Sequence, residues 1–201
     1  SPYNHQSDHY IKLSLSNLLH GGSYRTVPAS GGGWSWTDLR RINTVLDRMD
    51  TCEDEDVRAQ YEGLARFFRA FFYYEKVKLF GDVPWVDEEL ASDSEKLKAP
   101  RNSREYIMQK MLEDVNFAIE NLPDGVSTFR VNKWAALALK SQFCLFEGTF
   151  RKYHNITIDP AKAGVETVNN YDFYLKEAAA AAKEIMDSKK YKLYTTGNPD
   201  K

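Results

Sequence analysis

The stretch from Arg66 to Leu90, RFFRAFFYYEKVKLFGDVPWVDEEL, constrains the fold more than any other part of the chain. It reads as a helix packed with aromatic residues, and it stops at Gly81-Asp82-Val83-Pro84. Phe68, Phe71, Phe72, Val77 and Leu79 carry apolar area that a lone helix cannot bury, so the helix must sit within a stack of others. Gly81 can take the left-handed conformation that ends a helix, and Pro84 prevents its return. A short apolar extension follows, ending in the acids Asp87, Glu88 and Glu89.

Apolar residues at spacings of three and four place further helices on either side. Leu39, Ile42, Leu46 and Met49 mark one over about 35–50. The long helix is expected over about 52–80, with Thr51 as cap, Asp54 answering it, and Val57, Tyr61, Leu64, Phe68, Phe71 and Phe72 as its buried stripe. The run Glu53-Asp54-Glu55-Asp56 suits the positive end of its dipole. Asn102, with Glu105 in the capping-box position, opens a helix to about Asn121. Its stripe is Ile107, Met111, Val115, Ala118, Ile119 and Leu122, and Pro123 ends it.

A helix over about 133–150 carries Ala135, Ala136, Ala138 and Ser141, which permit close approach, with Trp134, Leu137, Phe143 and Phe146 between them. The last helix spans about 171–188. Tyr10–Leu15 reads as a short marginal strand, with a helix as the competing reading from the spacing of Leu15, Leu18 and Leu19, and Tyr191–Tyr194 reads as extended. The expected fold is all-α: stacked helical hairpins in a tetratricopeptide-like superhelix. The 171–188 helix would leave one face bare at the end of such a stack, which points to further chain.

Several classes of function find no support. The 27 basic and 29 acidic residues leave a net charge of -2, giving no electrostatic case for nucleic acid. No apolar run approaches the roughly 20 residues of a membrane span. Gly31-Gly32-Gly33 is followed by Trp34-Ser35-Trp36 and not by the Lys-Ser/Thr of a phosphate loop. His5 and His9 are four apart in a terminal, broken segment, a poor metal site. Cys52 and Cys144 fit no zinc or disulfide framework. Cys144 reads as a core residue, and a Cys52–Cys144 bridge has no support. Asp87, Glu88 and Glu89 read as a solvated loop, and no carboxylate pair for glycoside hydrolysis announces itself. No enzyme, cofactor or metal is expected.

Binding chemistry remains. Sugars present C–H faces that stack on aromatic rings, and hydroxyls that need amide, carboxylate or guanidinium partners. The glycine-broken segment through Tyr24, Arg25, Trp34, Trp36 and Asp38 supplies those types, and these five are the candidate ligand contacts. The competing reading makes Trp34 or Trp36 a packing plug under the first helix. Trp85 reads as a packing residue.

Several motifs in order resemble the SusD/RagB family of nutrient-binding outer-membrane lipoproteins. They are Ile42-Asn43-Thr44-Val45-Leu46, the Arg69–Val86 segment, Arg101 and Ser103 through Asp114, Ala118, Leu122 and Pro123, then Arg130–Lys133 with Ala135–Lys140, and Tyr191-Lys192-Leu193. The resemblance implies non-catalytic capture of a nutrient, most often an oligosaccharide, at the outer cell surface. It further implies a TonB-dependent (SusC-like) transporter as partner and a lipid anchor that lies outside this chain. Family members are longer, so residues 1–201 resemble a single N-terminal or central portion. A tetratricopeptide-like scaffold for a protein or peptide partner is the alternative.

Overall fold

The computed structural model describes residues 29–125 and 129–193. They fall into two units, one ending at Ser35 and one beginning at Trp36. In the first, Gly31, Gly32 and Gly33 all take positive φ, at 77°, 61° and 86°. Only glycine tolerates three such residues in succession. Turn hydrogen bonds from the Trp34 and Ser35 N–H groups to the Gly31 and Gly33 carbonyls close this segment.

The second unit holds the helices. These are α1 (Thr37–Leu46), α2 (Glu55–Phe80), α3 (Arg104–Asn121), α4 (Lys133–His154), the single turn α5 (Pro160–Ala163) and α6 (Tyr171–Asp187). Short 3-10 turns occupy Met49–Thr51 and Glu95–Lys98. Neighbours pack as α1 on α2, α2 on α3, α3 on α4 and α4 on α6. This is the stacked all-helical architecture expected. Tyr10–Leu15 and Tyr194 lie outside the described residues. The extended stretch after α2 makes one isolated bridge, Val83 to Asn102, instead of a strand.

The core lies between the helices. Ile107, Met111, Val115 and Ala118 of α3 are fully buried, as their spacing predicted, beside Tyr73, Val77, Phe143 and Tyr174. The α2 stripe differs from expectation. Val57, Tyr61, Phe68 and Phe71 are exposed, and the buried face carries Gly63, Ala65, Arg69, Ala70, Tyr73, Tyr74, Lys76 and Val77. The helix is as expected while its buried face is rotated, because Arg69 and Tyr73 have polar partners inside that phenylalanine side chains cannot meet.

Two caps also move. Asp54, not Thr51, caps α2, its Oδ1 accepting from the Asp56 and Val57 N–H groups, while Thr51 closes the preceding 3-10 turn through Arg48 O. Ser103, not Asn102, caps α3, accepting from the Tyr106 N–H. Glu105 is then free of the capping box and is buried in an ion network with Arg151 (2.5 Å), which also binds Glu147 (2.8 Å). Cys52 and Cys144 are both free thiols, so the bridge does not form, and Cys144 is a core residue. Among the described residues no helix is long and apolar enough to cross a membrane.

Candidate functional site

The segment following α2 forms a rigid wall. Gly81 ends the helix at φ 69°, its N–H bonded to Val77 O. From there the chain is extended, and its backbone is clamped from several directions. The Asn102 N–H donates to Val83 O, and Asn102 Oδ1 accepts from the Trp85 N–H at 2.8 Å. The Val86 N–H donates to Tyr73 Oη at 2.7 Å, and that hydroxyl lies 3.2 Å from Pro84 O. Burial pushes the Tyr73 phenol well above its ordinary pKa, so it keeps the proton it donates. Asn43, fully buried on α1, donates to the Val86 and Glu88 carbonyls at 3.0 and 2.9 Å. Further on, the Glu89 N–H donates to Asp47 at 2.6 Å.

This clamp fixes Trp85. Its ring stacks on Tyr73 at 4.4 Å, and the Arg69 guanidinium lies 5.1 Å from the ring centroid. Arg69 is itself locked by two hydrogen bonds to Asp114. Beside Trp85 opens a cavity of about 330 Å³, lined by Asp87, Glu88, Lys96, Asn102 and Tyr106 among others. That volume suits a small ligand or one unit of a longer one.

The lining is chemically poised. The Trp85 indole N–H is buried and has no hydrogen-bond partner among the described residues. Such an orphan donor costs free energy unless something accepts from it. Because Asn102 Oδ1 must accept from the Trp85 backbone, the amide NH₂ of Asn102 is oriented as a donor. Asp87 is exposed, and Glu88 is paired with Lys96. Two aromatic residues, the Asn102 amide, the exposed Asp87 carboxylate and the Glu88–Lys96 pair therefore surround one cavity. No group of His, Cys, Asp and Glu among the described residues is arranged to hold a metal ion.

The residues expected from sequence have separate fates. Tyr24 and Arg25 lie outside the described residues. Trp34 is 39% exposed on its glycine turn. Trp36 is half-buried at the head of α1, its ring 5.6 Å from Phe72 and 6.3 Å from Tyr73. Those are packing contacts of a ring that keeps part of its surface open. Asp38 is exposed and paired with Arg41 at 3.0 Å. Trp85 and Asn102, which sequence reading assigned to packing and capping, form the cavity wall. The acid-ended extension after Pro84 was the available signal, but the clamp that shapes it is non-local.

A second cavity, about 460 Å³ and largely apolar, lies against Val45, Met49, Cys52, Val57 and Tyr61. It has no comparable set of fixed polar groups.

A stacked-helix protein with a clamped aromatic wall and a polar cavity is the class defined by these features. Residues 35–145 match the SusD-like family, described as starch-binding and associating with the outer membrane, and the chain belongs to that family. A SusD-like protein of Formosa agariphila is 32% identical over 101 residues, covering 50% of this chain and 20% of its own length. A SusD-like protein structure from Bacteroides fragilis superposes with a TM-score of 0.63 at 24% identity, over 82% of this chain and 28% of the other. A laminarin-binding SusD-like protein superposes at 0.57 with 21% identity, over 75% of this chain and 28% of its own. The chain thus spans under a third of these proteins.

Proposed function

We propose that this chain captures an oligosaccharide without chemically altering it. In this reading it acts at the outer cell surface and passes the glycan to a TonB-dependent, SusC-like transporter. One observation carries the reading: the cavity beside Trp85 combines ring surface, the Asn102 side-chain amide and the exposed Asp87 carboxylate. Those are the groups a pyranose needs, C–H faces against rings and hydroxyls against fixed polar atoms. Family membership and the laminarin-binding neighbour of the same fold support it. Trp34, Trp36, Tyr24, Arg25 and Asp38 are proposed as ligand contacts in their own right.

Isothermal titration against neutral and acidic oligosaccharides tests the proposal, on the chain and on Trp85→Ala and Tyr106→Ala variants. Binding that either variant abolishes while helical circular dichroism is retained supports it. Binding unaffected by both variants would remove this cavity from the account.

A second reading has its own observation. Val57, Tyr61, Phe68 and Phe71 lie exposed along α2, next to the apolar cavity at Met49 and Cys52. A helical scaffold offering that surface suits an apolar peptide segment. Phe68→Asp with Phe71→Asp would abolish such binding and leave glycan binding intact.

A further inference from the structure

We propose that the Trp85 cavity takes an uncharged sugar unit and discriminates against uronate and sulfated units. The proposal rests on the glycan reading above and names the class of glycan. It follows from how the charges around the cavity are matched. Lys96, the cation of the lining, is paired with Glu88. Two cations stand further back. Arg69 is held by Asp114 at 2.7 Å, and Lys110 by Glu113 at 2.7 Å. Asp87, by contrast, is exposed on the lining and has no ion pair among the described residues. Among the lining residues the unmatched charge is therefore negative, and Arg69, Lys96 and Lys110 feel Asp87 through space.

The hydrogen-bonding inventory points the same way. The Asn102 amide donates, and Asp87 accepts. A sugar hydroxyl both donates and accepts, so a neutral pyranose can satisfy both groups. A glycan carboxylate or sulfate only accepts, and leaves Asp87 facing a like charge. Lys96 could meet that anion only by releasing Glu88, which would then stand unpaired on the same wall. The exchange gains no net attraction.

The test is isothermal titration of the chain with laminarin and malto-oligosaccharides, oligogalacturonate and a chondroitin sulfate oligosaccharide. It is repeated on Asp87→Asn, Asp87→Lys and Trp85→Ala. Asp87 is exposed, so its substitutions leave the fold in place. A neutral probe should bind the wild type roughly fivefold or more tightly than either anionic probe, the factor for two like charges about 4 Å apart in water.

Asp87→Lys should tighten the anionic probes by roughly two- to fivefold. That gain should vanish near 1 M salt, where the screening length is about 3 Å. Anionic probes binding the wild type as tightly as neutral ones, with Trp85→Ala abolishing both, would overturn the charge inference and leave glycan capture standing. An Asp87→Lys variant with unchanged preference would also overturn it. Failure of every probe to bind folded protein would overturn both readings.

Discussion

Arg69 grips Asp114 across 45 residues of sequence through two hydrogen bonds, Nε to Oδ2 at 2.7 Å and Nη2 to Oδ1 at 2.8 Å. Both side chains are buried, at the contact between α2 and α3. The pair joins the stack to the cavity, since the same guanidinium lies over the Trp85 ring. Removing one partner strands the other charge in the interior. Asp114→Ala should therefore destabilise the fold by about 3–5 kcal/mol. An Arg69→Met, Asp114→Leu double variant should recover most of that loss, because the desolvation cost disappears with the charges. Urea midpoints of the wild type and the two variants check both statements. A single variant as stable as wild type would show the pair to be dispensable.

The approach of α4 to α6 is set by Gly148. A methyl group there would meet Leu175 Cγ and Cδ2 at 2.8 Å and Tyr171 O at 3.1 Å. The Leu175 side chain can turn, but the Tyr171 carbonyl belongs to the first turn of α6. Gly148→Ala should cost about 1–3 kcal/mol by overpacking, despite the better helix propensity of alanine. Leu175→Ala in the same background should relieve part of the clash. Thermal unfolding of the single and double variants measures the coupling.

How much of this was legible in sequence varied by element. The α3 stripe could be read directly, because Ile107, Met111 and Val115 are apolar and buried by their own helical spacing. The buried face of α2 could not. It includes Lys76, Tyr74, and Arg69 and Tyr73, whose polar ends meet Asp114 and the 84–86 backbone, while apolar Phe68 and Phe71 stay outside. A reading based on apolarity rotates that helix. Asn102 illustrates the same limit at the site. Its sequence position suits a cap, but the Trp85 backbone recruits it and Ser103 caps instead. The cavity depends on Asn43, Tyr73 and Asn102 converging on one segment, and no local pattern encodes that convergence.

Two tryptophans separated by one residue should behave differently. The Trp36 ring packs against Phe72 and Tyr73, and the Lys76 ammonium lies 5.6 Å from its centroid. Trp36→Ala should cost about 2–4 kcal/mol through lost burial and the cavity left behind. Trp34 is 39% exposed on its glycine turn, and Trp34→Ala should cost less than Trp36→Ala by about 1 kcal/mol or more. Denaturant unfolding separates the two. If Trp34→Ala weakens glycan binding at unchanged stability, Trp34 gains its place as a ligand contact. Equal destabilisation by both substitutions would make Trp34 a structural residue.

Alkaline pH should expose the cost of burying Cys144. Burial pushes its thiol up to about 12, against about 8.5 for an unfolded cysteine. A group whose folded pKa is raised gives stability that is complete below the unfolded value and is lost as pH climbs toward the folded one. Burial also pushes Tyr73 and Tyr174 upward, so they add to the loss above about pH 10. The urea midpoint should therefore hold between about pH 7 and 8 and fall steadily from about 9. Cys144→Ala should start lower, by about 1 kcal/mol for the vacated volume, and should decline less between about pH 9 and 10. Thiol labelling supplies an independent readout. Half-buried Cys52 should react in the folded protein and Cys144 only in denaturant. Parallel pH profiles for wild type and Cys144→Ala would show that the thiol contributes nothing to alkaline unfolding.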